Sequence, residues 1–116
     1  MTVFAEHRFY GKTLPFQKDE EFDMEHFGYL TSEQALADCV VFLTWLKEST
    51  EGASDSPVVT FGGSYGRMLA AWFRIKYPDV TIDALTSSAP IWFFHRITPC
   101  WAFADGFDTT PNRNTN

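Results

Sequence analysis

The sequence has few of the residues that build disulfide frameworks, metal sites or nucleic-acid surfaces. Its two cysteines, Cys39 and Cys100, form no CxxC pair and no His/Cys cluster at ligand spacing, so we expect no disulfide framework, no metal and no cofactor. The nine Lys and Arg residues are outnumbered by 15 Asp and Glu, which leaves a net charge of −6. Because phosphate contacts need clustered basic side chains, this balance argues against a nucleic-acid partner.

Long apolar runs are also absent. No run of about 18 apolar residues occurs, so no membrane span is predicted. The first six residues lack the basic and apolar regions of a signal peptide, and no leader is predicted in this chain. In contrast, 45% of the residues are hydrophobic and 17% are aromatic, which predicts one small packed domain rather than disorder.

The first half of the chain predicts a strand, a long loop and a helix. Residues 2–5 form a short apolar run, and residues 6–29 form a polar, aromatic loop whose acidic run we interpret as a solvated face. Thr31 and Gln34 predict a capping box at the start of a helix. Residues with three- and four-residue spacing predict its apolar face: Leu36, Cys39, Val40, Leu43, Leu46. This face makes Cys39 a candidate buried free thiol, whereas Cys100 could pair outside the chain.

The second half predicts a strand over 58–61 that is buried on both faces, a helix over 65–77 and a strand over 80–88. The inner face of this helix is predicted to carry Met68, Leu69, Trp72 and Ile75. The order strand, helix, strand, helix, strand predicts an α/β fold with a parallel sheet. Three strands leave open edges and uncovered apolar surface, which is typical of part of a domain. Residues 104–116 have the composition of a disordered tail.

A Gly-x-Ser-x-Gly motif links the second predicted strand to the second helix. Gly62, Gly63 and Gly66 surround Ser64, and this strand–turn–helix context predicts a nucleophile elbow. Small residues let strand and helix approach each other, the turn strains the serine backbone, and the hydroxyl lies at the carboxyl edge of the sheet. The backbone N–H of Tyr65 is the candidate oxyanion donor. A purely structural glycine-rich turn is the alternative.

A serine nucleophile needs a histidine base oriented by a carboxylate, and in this fold the order is Ser, acid, His. Downstream of Ser64, the only histidine is His95, and the candidate acids are Asp79, Asp83, Asp105 and Asp108. Asp79 and Asp83 are expected at the opposite edge of the sheet. We therefore expect the partners of Ser64 to lie outside these residues.

Several segments resemble one peptidase family. Residues 6–16, which begin Glu-His-Arg-Phe-Tyr-Gly, resemble the signature loop of the lysosomal Pro-X carboxypeptidase and dipeptidyl peptidase II family. Residues 29–38 resemble the helix that follows it, residues 61–74 its nucleophile segment, and residues 87–92 with 99–100 the strand beyond. The likeness covers residues 3–103, and we interpret residues 1–103 as a partial α/β-hydrolase domain of a serine peptidase.

The resemblance implies a serine exopeptidase that acts around proline, with a helical cap after the last strand here. It implies a peptide substrate with proline near the cleaved end and a lysosomal or secreted enzyme that works best in acid. It is also compatible with a homodimer of the parent protein. Only Ser64 carries over as a catalytic side chain. The family's Asp and His are expected after Asn116, and the second oxyanion donor before Met1.

Two departures and two alternatives remain. Arg67 stands where the family usually has a third glycine, where it either crowds the elbow or projects into solvent, and the likeness ends at Ala104. One alternative is a catalytically inactive truncated isoform, and the other is an esterase or lipase, which shares the elbow but not the flanking likeness. We expect Glu6 and Arg8 to pair structurally and His7 to be a packed loop residue.

Overall fold

The computed structural model describes residues 1–16, 24–92, 97–99 and 101–102. Its four main elements are two helices and two strands, in the chain order α1 (Ser32–Ser49), β1 (Val59–Phe61), α2 (Tyr65–Lys76) and β2 (Asp83–Leu85). A short 3-10 turn, Phe27–Tyr29, precedes α1.

Helix α1 begins where the sequence predicts. The Thr31 hydroxyl oxygen accepts a hydrogen bond from the Gln34 backbone N–H at 3.2 Å, which satisfies one of the free amides of the first turn. The other half of the predicted capping box is replaced by a tertiary contact, because the Gln34 side-chain oxygen accepts from the Arg8 guanidinium. Leu36 is buried in the predicted apolar face, while Cys39 is a half-buried free thiol.

Strands β1 and β2 form a parallel pair. Val59 lies opposite Asp83 and Phe61 opposite Leu85, so β1, α2 and β2 form a strand–helix–strand unit, as the sequence predicts. The second strand is shorter than predicted. Thr81, which precedes it, is fully buried, and its hydroxyl lies 2.9 Å from the Val58 carbonyl oxygen. Thr81, a polar residue within an apolar segment, therefore stabilises the start of the sheet through this hydrogen bond.

The prediction that β1 is buried on both faces is wrong for the described chain. The Thr60 hydroxyl lies 3.4 Å from the Ala70 carbonyl oxygen, so Thr60 faces α2. Because side chains alternate along a strand, Val59 and Phe61 point to the other face, where they are 52% and 57% exposed. That face borders an open, mainly apolar groove between β1 and α1.

The face that α2 packs on the sheet agrees only in part with the prediction, because Met68 is buried as predicted and Ile75 is not. Its buried residues are Met68, Ala70, Ala71 and Phe73. Phe73 is only 3% exposed, whereas Ile75, predicted to face inward, is 76% exposed. The small side chains of Ala70 and Ala71 allow α2 to lie close to both strands, which turns Phe73 inward and Ile75 outward.

Two predictions fall at the ends of the chain. Residues 2–5 form no strand in the structure, because they pair with neither β1 nor β2, so the five-element order is not established. The predicted disordered tail over 104–116 lies outside the described residues.

Candidate active site

Ser64 lies in a sharp turn between β1 and α2. Its backbone has φ 49° and ψ −118°, a conformation that residues other than glycine rarely adopt. Strained backbone of this kind persists only where its surroundings hold it, and it is concentrated at functional sites. Ser64 directly precedes the first residue of α2, and its side chain does not cap that helix. Its exposed hydroxyl therefore remains available at the carboxyl edge of the sheet.

Gly62 is the glycine that makes this turn possible. A Cβ atom at Gly62 would lie 2.5 Å from both the carbonyl carbon and the carbonyl oxygen of Gly66. Both atoms belong to the backbone of the first turn of α2, so they could not move aside cheaply. The end of β1 and the start of α2 therefore approach each other too closely for a side chain at this position.

The other two glycines of the motif have more room. In the described part of the chain, a Cβ at Gly63 would meet no atom within 4 Å other than those of its chain neighbours. The same holds at Gly66, apart from the backbone of its own helix. Neither has a positive φ. Their importance for the turn, predicted from the motif, is not explained by these contacts.

The N-terminus of α2 presents an amide beside Ser64. The N–H groups of Gly66 and Arg67 donate to the carbonyl oxygens of Gly63 and Ser64, at 2.8 and 3.0 Å. Tyr65 is the first residue of the helix, and among the described residues its N–H donates to no backbone carbonyl. A free N–H next to the serine, at the positive end of a helix, is the arrangement that stabilises an oxyanion.

The Tyr65 side chain extends toward the loop that follows the N-terminus. Its hydroxyl oxygen lies 3.4 Å from Nε2 of His7. Partial burial is the largest of the causes that raise the pKa of Tyr65, followed by the nearby Tyr10 and Glu33, so the phenol keeps its proton at neutral pH. The contact between the loop and the elbow was not predicted from the sequence, since His7 and Tyr65 are 58 residues apart.

Arg67 neither blocks the turn nor projects freely into solvent. Its Nε donates to the Gly62 carbonyl oxygen at 2.8 Å, and the residue is half-buried. This bond links the first turn of α2 to the end of β1 across the Gly62 contact. Arg67 thus stabilises the turn by a hydrogen bond to its backbone.

The loop over residues 6–13 is held by Glu6 and Arg8, but not by the pairing predicted between them. The Glu6 carboxylate accepts from the N–H groups of Lys12 and Thr13 at 2.9 and 2.8 Å. Arg8 instead forms a bidentate pair with Asp38 on α1, with both N···O distances 2.6 Å. The charged residues of the loop indicated an ion pair, but Arg8 pairs with a residue of α1 that lies 30 positions further along the chain.

Neither of the two candidate acids in the described part of the chain, Asp79 and Asp83, lies beside Ser64. Asp83 is the first residue of β2 and lies opposite Val59, at the amino end of β1, whereas Ser64 follows its carboxyl end. Asp79 lies in the turn between α2 and β2. Asp105, Asp108 and His95 fall outside the described residues. In the described part of the chain, Ser64 has no hydrogen bond to a histidine or a carboxylate.

The described residues contain neither a candidate metal site nor a candidate membrane span. No three His, Cys, Asp or Glu side chains there are grouped so that they could hold a metal ion. Neither helix in that part of the chain has the length and apolar character needed to cross a membrane.

The chain is similar to known peptidases. A family model described as serine carboxypeptidase S28 matches residues 1–98. Lysosomal Pro-X carboxypeptidase of Homo sapiens is 53% identical over 103 residues, which cover 89% of this chain and 21% of the human protein. The protein of the same name in Mus musculus is 52% identical over the same shares. Prolyl carboxy peptidase like protein 5 of Caenorhabditis elegans is 53% identical over 93 residues, 79% of this chain and 18% of that protein.

The family-model match includes both the loop over residues 6–13 and the turn at Ser64. The resemblance inferred from those segments is therefore confirmed, although the chain spans only 21% of the length of the human relative. A family match that covers residues 1–98 of 116 leaves little of the chain outside it. The chain belongs to the serine carboxypeptidase S28 family.

Proposed function

We propose that the chain supplies the nucleophile of a serine peptidase that hydrolyses peptide bonds next to proline. The observation that carries this proposal is the backbone of Ser64, φ 49° and ψ −118°, between a parallel strand and a helix N-terminus. A serine held in this way projects its Oγ toward a substrate carbonyl instead of into the helix. The similarity to Pro-X carboxypeptidases supports the preference for proline.

In the proposed reaction, Ser64 Oγ attacks the scissile carbonyl carbon while a histidine takes its proton. The Tyr65 N–H donates to the oxyanion that forms on the carbonyl oxygen. The tetrahedral intermediate then expels the amine, which receives the proton from the histidine, and a water molecule hydrolyses the resulting acyl-enzyme. The histidine and its carboxylate partner are proposed to come from residues beyond this chain.

The name of the human relative supports two finer proposals. We propose that the natural protein removes a residue that follows proline at the carboxyl end of a peptide, and that it works in lysosomes. A dipeptidyl peptidase, which would act at the amino end, is the alternative within this proposal. A homodimer is also compatible with it.

Hydrolysis of two model peptides tests the proposal in the natural protein that contains these residues. One peptide carries a single residue after a penultimate proline, and the other carries proline second from its amino end. We expect release of the C-terminal residue, and Ser64→Ala should lower kcat at least about a thousandfold, because the nucleophile is lost. Ser49→Ala, at the end of α1, is the matched control and should leave kcat unchanged.

A catalytically inactive product is a second candidate for the 116-residue chain alone. It is favoured because, in the described residues, the Ser64 hydroxyl lacks a base. We expect this chain to hydrolyse neither peptide under conditions in which the natural protein does. Turnover by the 116-residue chain that disappears in Ser64→Ala would rule out this candidate, while full activity of Ser64→Ala in the natural protein would rule out the peptidase mechanism itself.

A further inference from the structure

The loop over residues 6–13 is a rigid support that lies against the Ser64 turn. Within the loop, the Glu6 carboxylate accepts three hydrogen bonds, two from backbone N–H groups and one from the Thr13 hydroxyl at 2.6 Å. Gly11, with φ 67°, makes room for this carboxylate, since a Cβ there would lie 1.9 Å from a Glu6 oxygen. Outside the loop, Arg8 binds Asp38 through two nitrogens and donates to the Tyr29 carbonyl oxygen at 3.0 Å. The loop is therefore fixed to α1.

His7 is held in one orientation on this support. Its Nδ1 lies 2.8 Å from the Arg8 carbonyl oxygen, and because a carbonyl only accepts, Nδ1 must carry the proton. The ring also packs edge-on against Tyr10, with centroids 5.2 Å apart and an interplanar angle of 83°. In the neutral ring, Nε2 is then an acceptor that faces the Tyr65 hydroxyl.

The Tyr65 hydroxyl is thus the donor, and the contact joins the support to the elbow. The two ring centroids lie 6.0 Å apart, so the pair combines a hydrogen bond at 3.4 Å with ring packing. Tyr65 is the residue after Ser64, and its N–H is the proposed oxyanion donor. A tether on its side chain restrains the rotation of this peptide group and of the strained serine before it.

We propose that His7 is a positioning residue for the peptidase reaction, which holds Tyr65 and thereby aligns the oxyanion N–H with Ser64. This inference rests on the proposed function. The contact is exposed, and the loop is already fixed by Glu6 and Arg8, so the contact contributes little to folding. The contact instead affects how well the Tyr65 N–H stabilises the transition state, because a small displacement of an oxyanion donor weakens that stabilisation.

A double-mutant cycle in the natural protein tests the proposal through kcat and KM. His7→Phe keeps a ring but has no acceptor, and Tyr65→Phe removes the donor. Each is expected to lower kcat about three- to tenfold, the effect of one hydrogen bond, with KM unchanged. The double variant should be no slower than either single variant. His7→Gln, whose amide oxygen can accept from Tyr65, should restore most of the rate.

Two controls separate this role from a structural one. Tyr77→Phe, at the opposite end of α2, should leave kcat unchanged, and the thermal midpoint of each variant should stay at the wild-type value. Additive losses in the double variant, a His7→Gln enzyme as slow as His7→Phe, or losses that follow a lowered thermal midpoint would each overturn the proposal. An inactive wild-type protein would overturn the proposed function and this inference with it, whereas unaffected variants of an active protein would overturn this inference alone.

Discussion

At the scale of single residues, the turn around Ser64 depends on how closely two backbones approach each other. Gly62 has no room for a Cβ atom, whereas Gly63, its neighbour, does. The motif in the sequence predicted the turn because glycines surround a serine after an apolar run. The motif did not distinguish the two glycines. Their difference depends on the distance from each position to the first turn of α2, which is a property of the folded chain.

Alanine substitutions at these two glycines test this difference. Gly62→Ala should force the start of α2 away from β1 and lower the free energy of unfolding by about 1–3 kcal/mol, the usual cost of overpacking. The rate at which Ser64 reacts with a fluorophosphonate should fall at least about tenfold, because the turn that presents it is displaced. Gly63→Ala, the matched control, should change both quantities much less. Equal effects at the two positions would contradict the close approach at Gly62.

At the scale of elements, the positions of the two helices were predictable from the sequence. The contacts that each helix makes with the rest of the chain were not. Thr31 and the apolar spacing located α1, and Pro78 located the end of α2. The buried face of α2 was predicted only in part: Met68 is buried as predicted, but periodicity alone did not indicate the burial of Ala70 and Ala71. The clamp between Arg8 and Asp38 joins a loop to a helix, and no pattern in the sequence reports such a long-range pair.

The loop over residues 6–13 should depend on pH through Glu6. The Thr13 hydroxyl, followed by the Lys12 N–H, lowers the pKa of Glu6 below its ordinary value of 4.5. A lowered pKa means that the folded loop favours the carboxylate. The resulting stabilisation is complete above pH 4.5 and is lost as the pH falls through the lowered pKa.

Hydrogen exchange at the Lys12 and Thr13 amides measures this dependence. Corrected for the intrinsic exchange rate, their protection should decrease as the pH falls from about 6 to about 3, the range in which carboxylates titrate. Glu6→Gln, which removes the charge, should lower the protection near pH 6 to about the level that the wild-type protein reaches in acid, and should remove the pH dependence. Constant protection of the wild-type amides over this range would show that Glu6 does not hold the loop.

At the scale of the whole molecule, the sequence predicted a parallel α/β unit. It did not predict how much of one face of the sheet is exposed. Helix α2 covers one face of the sheet, while Val59 and Phe61 on the other face border the groove beside α1. Periodicity identifies residues suited to burial and does not supply the element that buries them. The parallel pairing of β1 and β2 followed from the helix between them.

The position of Ser64 follows from the same arrangement. Parallel strands place both of their carboxyl ends at one edge, so Ser64 after β1 and Ser88 after β2 lie on the same side of the sheet. Both residues have a positive φ, 49° at Ser64 and 56° at Ser88. Of these two serines, Ser64 directly precedes a helix and Ser88 does not. The first N–H of that helix donates to no backbone carbonyl in the described part of the chain. Ser88 is therefore the internal control for any test of the nucleophile.

The most direct test is to react the natural protein with a fluorophosphonate and to locate the modified serine by peptide mass spectrometry. We expect one modification per chain, at Ser64, and loss of peptide hydrolysis in proportion to it. Ser64→Ala should prevent modification, while Ser88→Ala should not. Modification of Ser88 or another serine, or full hydrolysis by protein that is modified at Ser64, would contradict the assignment of the nucleophile.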